Sequence, residues 1–200
     1  MPRLRQVSRA DVTDPVISKW YDRLFGDRDP VQNPGTRTGS RGDWWTTYAL
    51  VPDLFRYVAQ GIEVYENPDR TIPPAIRVLC QARAGWARGS RFVFSQHSKF
   101  ARAAGATDEQ VDALPAWQVA TCFDPAERAA LTYTDCLVLG GGRVPDEIFG
   151  ALVESFTDEQ ILELTFAIGL YEMHSTICRA LRLEFDDRDD PVTEAPSATP

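Results

Sequence analysis

The sequence contains only two histidines, His97 and His174, and both lie in strongly apolar segments. At helical spacing each shares a face with bulky apolar side chains, so neither is expected to face water. Burial lowers the pKa of an imidazole and keeps it neutral, and a neutral imidazole can accept a proton or donate a hydrogen bond. The structural alternative for each is a core histidine bonded to a backbone carbonyl. The apolar neighbours are Val93, Phe94, Phe100 and Ala101 for His97, and Leu170, Tyr171, Ile177 and Cys178 for His174.

The cysteines, the possible metal ligands and the glycines lack the sequence spacing of redox, metal or nucleotide sites. The four cysteines are too far apart in sequence for a CxxC redox or zinc pair, which favours small buried side chains in a reducing compartment. Two histidines without HxxxH, ExxH or CxxC spacing leave a tetrahedral metal site short of ligands. The sequence also lacks a GxGxxG motif and a P-loop. It therefore predicts no metal and no cofactor. The cysteines are Cys80, Cys122, Cys136 and Cys178.

Composition indicates a folded globular chain rather than a disordered or fibrous one. Of the 200 residues, 44% are hydrophobic and 25% charged, with a formal net charge of −8. Nucleic-acid binding needs clustered Lys and Arg, and the basic residues here are scattered, so no nucleic-acid partner is predicted. No apolar run approaches the roughly 18 residues of a membrane span, and the N-terminus does not resemble a signal peptide. The expected location is the cytoplasm, without a membrane partner.

Helix start signals recur along the chain, whereas the strict alternation of strands never persists, so the predicted fold class is all-α. Thr107–Gln110 and Thr157–Gln160 repeat the tetrapeptide TDEQ, a capping box, and Asp124 followed by Pro125 is a further helix start. The segment 26–42 is rich in Gly and Pro and is predicted to be a long loop, functional or mobile. Helices are predicted near 13–25, 44–67 with a break at Pro52, 73–88, 90–104, 125–138, a short one from Pro145, and 158–183.

Two further segments bear on ligand binding and assembly. Trp44 and Trp45, beside the 26–42 loop, fit either the floor of a ligand pocket or core anchors. The last predicted helix is apolar around most of its circumference, which predicts burial in the centre of the fold or against another subunit. Residues 186–200 form an acidic segment that is predicted to be a disordered tail.

The run from Arg77 to His97, followed by ARAAG and TDEQ, resembles the signature helix pair of the carboxymuconolactone decarboxylase family. Relatives of this family include the AhpD-like alkylhydroperoxidases. The resemblance continues through FDPAERAAL, GRVPDEIFGAL, TDEQILEL and GLYEMHSTICRAL and covers about residues 52–183. It implies an AhpD-like helical bundle with a long C-terminal helix, assembled into trimers or hexamers, with active sites near subunit contacts. The implied organisation is an N-terminal helical extension and loop over 1–51 and the family domain over 52–185.

The sequence departs from the family at most of its functional positions. The peroxidase branch has a glutamate, a CxxC pair and a histidine, which fall here at Val78, Ser90, Val93 and His97. A serine hydroxyl is not oxidised to a sulfenic acid and resolved as a disulfide, so dithiol peroxidase chemistry is expected to be absent at this site. Of this branch's functional positions, only His97 carries over.

The decarboxylase branch implies acid–base work by a glutamate and a histidine, and its glutamate falls here at Arg91 or Val93. Replacement groups are expected from the last helix, where Glu172 and His174 lie about 200° apart around the helix axis. The predicted catalytic residues are therefore His97, His174 and Glu172. The predicted pocket residues are Ser90, Val93 and Phe94.

Three functions remain open at this point. The first is a cofactor-free lyase or isomerase that uses His97 for acid–base chemistry, such as decarboxylation or dehydration of a small cyclic or carboxylated substrate. The second is a peroxidase-like oxidoreductase of the AhpD type, which the loss of both cysteines disfavours. The third is a non-catalytic relative that binds a ligand or another protein, because a fold does not determine an activity.

Overall fold

The computed structural model describes residues 2–184, apart from the side chain of Glu66, and confirms the all-α prediction. Within this range the secondary structure consists of nine α-helices and three short 3-10 helices, without strands. The predicted acidic tail, residues 186–200, lies outside the described residues. The α-helices are α1 Pro15–Phe25, α2 Asp43–Tyr48, α3 Pro52–Glu63, α4 Pro74–Ala87, α5 Arg91–Ala103, α6 Asp108–Ala113, α7 Pro125–Val138, α8 Asp146–Val153 and α9 Asp158–Leu181.

The predicted capping boxes fix where three of the helices begin. The Thr107 hydroxyl accepts a hydrogen bond from the Gln110 amide, and the Gln110 side chain accepts one from the Thr107 amide, at the start of α6. Asp124 caps α7 in the same reciprocal way, with Pro125 in its first turn. Thr157 and Gln160 make both bonds ahead of α9, at 3.3 and 3.0 Å. These local bonds satisfy amides that have no partner within a helix, and they place the helix starts where the sequence predicts them.

The described chain divides into two compact units, one of residues 2–68 with 177–184 and one of residues 69–176. In the first unit Ile17, Tyr21, Phe25 and Phe55 lie in a continuous apolar core. Trp44 is 4% exposed and Trp45 stacks on Trp20 with ring centroids 4.6 Å apart, so both tryptophans belong to the packing of this unit. The predicted loop over 26–42 contains no helix.

A half-buried glutamate holds the start of α2 in the first unit. Glu184 accepts hydrogen bonds from the backbone amides of Gly42, at 2.9 Å, and Trp44, at 3.1 Å. Burial and the negative charge of Asp43 raise the pKa of Glu184 to about 7, although the backbone donors oppose the shift.

The second unit has a core built from α4, α5, α7 and the first part of α9. Arg83 on α4 reaches Asp135 on α7 with two parallel bonds of 2.7 and 3.0 Å. Asp135 also accepts from the Trp117 indole and the Gln118 amide, each at 3.0 Å. A buried ion pair needs such additional bonds because both charges have left water.

The long helix α9 is only partly buried. Leu164 and Ile168 are fully enclosed, whereas Leu162 is 71% exposed and Phe166 is 43% exposed.

In the described part of the chain, no helix combines the length and apolar character that crossing a bilayer requires. The domain boundary predicted between residues 51 and 52 stays a prediction.

Candidate active site

Helices α4 and α5 form a tight hairpin that positions His97. Gly89, with φ of 65°, ends α4, while the Ser90 amide bonds the Gly85 carbonyl at 2.8 Å and the Gly89 amide bonds that of Trp86. These two bonds form a Schellman motif, in which glycine adopts the left-handed backbone that other residues disfavour. Ser90 then caps α5, its hydroxyl accepting from the Val93 amide. The turn therefore sets the direction in which α5 carries His97.

The His97 ring is buried and held by one nitrogen. Its Nδ1 lies 2.9 Å from the carbonyl oxygen of Val93, one turn earlier on α5, and the residue is 5% exposed. A carbonyl oxygen only accepts hydrogen bonds, so Nδ1 carries the proton and donates it. In the neutral ring, Nε2 then keeps its lone pair as the proton acceptor.

Tyr171 on α9 lies between the two histidines. Its ring centroid is 4.1 Å from that of His97 and 5.2 Å from that of His174, with both contacts edge to face. Phe100 completes the surroundings of His97 at 5.7 Å. The predicted packing of the last helix beside the His97 helix is therefore confirmed at these three rings.

The electrostatic environment keeps both imidazoles neutral at pH 7. The pKa of His97 is lowered to about 3, chiefly by burial and in smaller part by His174 and Arg77, while the bond to Val93 opposes the shift. Burial alone lowers the pKa of His174 to about 4. Burial also raises the pKa of Tyr171 to about 12, which leaves the phenol protonated. The predicted direction of the histidine shifts is confirmed.

Glu172 forms an ion pair with Arg88 at the end of α4. The structure therefore brings His97 and His174 to the same tyrosine but pairs the third predicted catalytic residue with an arginine. Their catalytic roles stay predictions.

The three predicted pocket residues form the packed end of the α4–α5 hairpin. Ser90 serves as the helix cap, Val93 lies against Gly85, and Phe94 packs on Trp86 with ring centroids 5.4 Å apart. They support the position of His97, and a role in lining a pocket stays a prediction.

The two buried cysteines show no sign of thiol activation. Cys80 and Cys178 are buried as predicted, and burial raises the pKa of both thiols, that of Cys80 to about 12. Cys122 and Cys136 are only half-buried, so the prediction of full burial is wrong for them, because each lies in a region that solvent reaches. A nucleophilic cysteine requires a thiolate, which a raised pKa disfavours.

Sequence reasoning did not single out Arg77 and Gln81 on α4. Arg77 Nη1 donates to Gln81 Oε1 at 3.2 Å, and the positive charge of Arg77 lowers the pKa of both His97 and Tyr171. Their spacing of four residues, which places them on one helix face, was the available signal. Among residues 2–184, no group of three His, Cys, Asp or Glu side chains is arranged to hold a metal ion.

The sequence model of the carboxymuconolactone decarboxylase family matches residues 52–135. These 84 of the 200 residues are similar in sequence to that family. The family match includes α3, α4 and α5, and with them His97, Arg77 and Gln81. The resemblance of the sequence to the family is thereby confirmed.

Other proteins are similar to this chain in sequence or in fold. The uncharacterized protein YdfG of Bacillus subtilis (strain 168) is 28% identical over 123 residues, which are 61% of this chain and 82% of YdfG. An uncharacterized peroxidase-related protein from Ralstonia eutropha JMP134, described as an alkylhydroperoxidase AhpD core, superposes with a TM-score of 0.72 at 16% identity over 91% of this chain and 90% of its own. The debrominase Bmp8 superposes with a TM-score of 0.70 at 19% identity over 91% and 89%. These structures establish the AhpD-like helical fold.

Proposed function

We propose that this protein is a small-molecule enzyme in which His97 accepts a proton from the substrate through Nε2. The observation that carries the proposal is the bond from His97 Nδ1 to the Val93 carbonyl, together with the burial that keeps the ring neutral. This arrangement fixes both the tautomer and the direction of the lone pair before a substrate arrives. A general base that is already oriented in this way speeds proton transfer, because it does not have to reorient during the reaction.

The chemistry that fits is a lyase or isomerase type of proton transfer. Nε2 takes a proton from a substrate carbon, and the electron pair of the broken C–H bond forms a double bond or an enolate. In an isomerisation the imidazolium returns the proton to another carbon. In a dehydration the hydroxyl group leaves with a proton as water. A decarboxylation is also compatible: the substrate's carboxyl group gives its proton to Nε2, the carboxylate leaves as CO2, and the imidazolium returns the proton to the carbon from which CO2 has left.

His174 and Tyr171 are proposed to position the base. Tyr171 contacts both imidazoles, and its phenol stays protonated and uncharged at pH 7. The proposed role of Glu172 is indirect, since its charge is paired with Arg88. The alternative of an AhpD-type dithiol peroxidase has less support, because Ser90 and Val93 occupy the cysteine positions.

The test is a deuterium-incorporation screen by NMR. Small carboxylated lactones and hydroxy acids are incubated with the protein in D2O, and both product formation and exchange at carbon are followed. His97→Gln is expected to lower the rate by roughly 100-fold or more, the usual contribution of a positioned acid–base group. His174→Gln is expected to have a smaller effect.

Each variant is also melted, so that loss of folded protein is separated from loss of chemistry. A His97→Gln protein that melts early but retains full specific activity in its folded fraction would remove His97 from the mechanism. Activity lost only through unfolding would support the core-histidine alternative.

We also propose that the working form is a homo-oligomer, a trimer or a hexamer. Leu162 and Phe166 form an exposed apolar edge of α9, which a contact with another subunit would cover. Sedimentation at low micromolar concentration is expected to show an assembly. A stable monomer of about 22 kDa, the mass of one chain, would contradict this proposal.

A further inference from the structure

Arg77 and Gln81 form a polar pair one turn apart on α4. Arg77 Nη1 donates to Gln81 Oε1 at 3.2 Å. A guanidinium has donors only, so the amide oxygen must face it. The amide nitrogen of Gln81 consequently points its two N–H donors elsewhere.

These donors are buried without an acceptor. Gln81 is 1% exposed, and its Nε2 has no hydrogen-bond partner among residues 2–184. A buried N–H group without an acceptor is unfavourable, and such groups are rare in folded proteins. An acceptor supplied by a ligand would satisfy it.

The pair lies on the same side of the α4–α5 hairpin as the proposed base. A Cβ atom at Gly85 would lie 2.8 Å from the Val93 side chain, which sets the register of the two helices. One turn back along α4 from Gly85 is Gln81, and one turn forward along α5 from Val93 is His97. Arg77 follows one further turn away from the hairpin turn, and its charge acts on both the His97 and the Tyr171 rings.

We propose that Arg77 and Gln81 form an anion-binding subsite that holds a carboxylate of the substrate beside His97. A carboxylate has acceptors only and matches this set of donors, and its bonds to a guanidinium are charge-assisted. With its carboxylate bound there, the substrate is expected to place its neighbouring carbon toward the His97 ring. The assignment of the anion as substrate rests on the proposed function, whereas the anion site itself does not.

The subsite also couples binding to the strength of the base. The charge of Arg77 is one of the influences that keep His97 unprotonated. A bound carboxylate offsets this charge, so binding is expected to raise the His97 pKa and make Nε2 a better proton acceptor. A substrate without an anionic group would lack this effect.

The experiment titrates the full-length protein with benzoate, with uncharged benzamide as the matched ligand. Binding is measured by calorimetry, and the His97 pKa by NMR of the labelled imidazole. Benzoate is expected to bind, to raise the His97 pKa, and to bind at least about tenfold more weakly to Arg77→Gln, which lacks the charge-assisted bonds. Benzamide is expected to bind much more weakly than benzoate to the wild-type protein.

Control variants separate the subsite from general charge and folding effects. Arg143→Gln makes the same charge change at an exposed position and is expected to bind benzoate as the wild type does. Gln81→Met is a second variant that keeps the arginine, and it is expected to weaken binding by severalfold. Thermal melts confirm that each variant is folded at the temperature of the titration.

The outcome for this subsite is distinguishable from that of the proposed function. His97→Gln is expected to retain benzoate binding even though it loses turnover. Equal benzoate affinity of the wild type and Arg77→Gln, or no benzoate binding to the wild type, would overturn the anion subsite and leave the role of His97 standing. Benzoate binding that depends on Arg77, with turnover that does not depend on His97, would overturn only the proposed function.

Discussion

Replacing Gly85 by alanine tests whether the close approach of α4 and α5 positions His97. The new Cβ atom would lie 2.7 Å from the backbone nitrogen of Phe94 and 2.8 Å from a methyl group of Val93. Ordinary contacts between such atoms are about 3.5–4.0 Å, so the helices must separate by roughly 1 Å. Because one of the atoms is backbone, a change of side-chain rotamer does not relieve the clash.

Two opposing effects determine the magnitude. Alanine favours the helical backbone over glycine by up to about 1 kcal/mol, whereas overpacking of a core costs about 1–3 kcal/mol. With backbone in the clash, the larger packing values apply, and Gly85→Ala is expected to lower the free energy of unfolding by about 2 kcal/mol. At roughly 2–4 °C per kcal/mol for a chain of this size, the melting temperature should fall by about 4–8 °C.

The control is Gly150→Ala in α8, where a Cβ atom would have no neighbour within 4 Å. This variant should be as stable as the wild type or up to about 1 kcal/mol more stable. Both variants are measured by thermal and urea unfolding. A Gly85→Ala protein at least as stable as Gly150→Ala would refute the inferred helix approach and, with it, the register that places Gln81 opposite His97.

Three further predictions concern buried ionisable groups. His97 and His174 have folded-state pKa values of about 3 and 4, below the ordinary value of 6.5, so the unfolded state binds protons more strongly. Their contribution to the free energy of unfolding is therefore complete above about pH 6.5 and falls by roughly 3 kcal/mol each toward pH 4. In urea unfolding, His97→Gln should make the free energy of unfolding depend less steeply on pH over this range. Asp135→Asn leaves the charge of Arg83 buried with a neutral partner and should lower the free energy of unfolding by about 3–5 kcal/mol in the same assay. A decrease below about 1 kcal/mol would contradict the buried ion pair. Glu184 has a folded pKa of about 7, above its ordinary 4.5, so its contribution is complete below about pH 4.5 and is lost as the pH rises through 7. Glu184→Gln should consequently be more stable than the wild type above pH 7 and not below pH 4.5, and identical profiles would show that the carboxyl is not buried.

The helix positions were predictable from the sequence because their determinants are local. Thr107 and Asp124 each make reciprocal bonds within four residues of chain, and Gly89 ends α4 through the backbone of the same turn. Such signals do not depend on the rest of the fold. The burial of His97 followed in the same way from its apolar neighbours one turn away on α5.

The arrangement of the candidate site was less predictable because it depends on contacts between helices. The placement of Tyr171 between the two histidines joins α5 to α9, which are separated by 54 residues of sequence. Helical spacing assigned Tyr171 to the face of His174 but gave no contact with His97. The ion pair of Glu172 with Arg88 likewise depends on the packing of α9 beside the end of α4, which the sequence pattern does not contain. The importance of Arg77 arises from its electrostatic effect on rings of two other helices, which no local pattern contains.

The protonation of His97 is the most direct test of the account, and it is measurable by 15N NMR of the histidine-labelled protein across the pH range. The bond to Val93 predicts a neutral ring with the proton on Nδ1 and a free lone pair on Nε2, persisting well below the ordinary pKa of 6.5, toward about 3. His174 should also remain neutral, and its resonance is assigned with His174→Gln. A His97 ring that carries its proton on Nε2, or that is an imidazolium at pH 6, would contradict the proposed base.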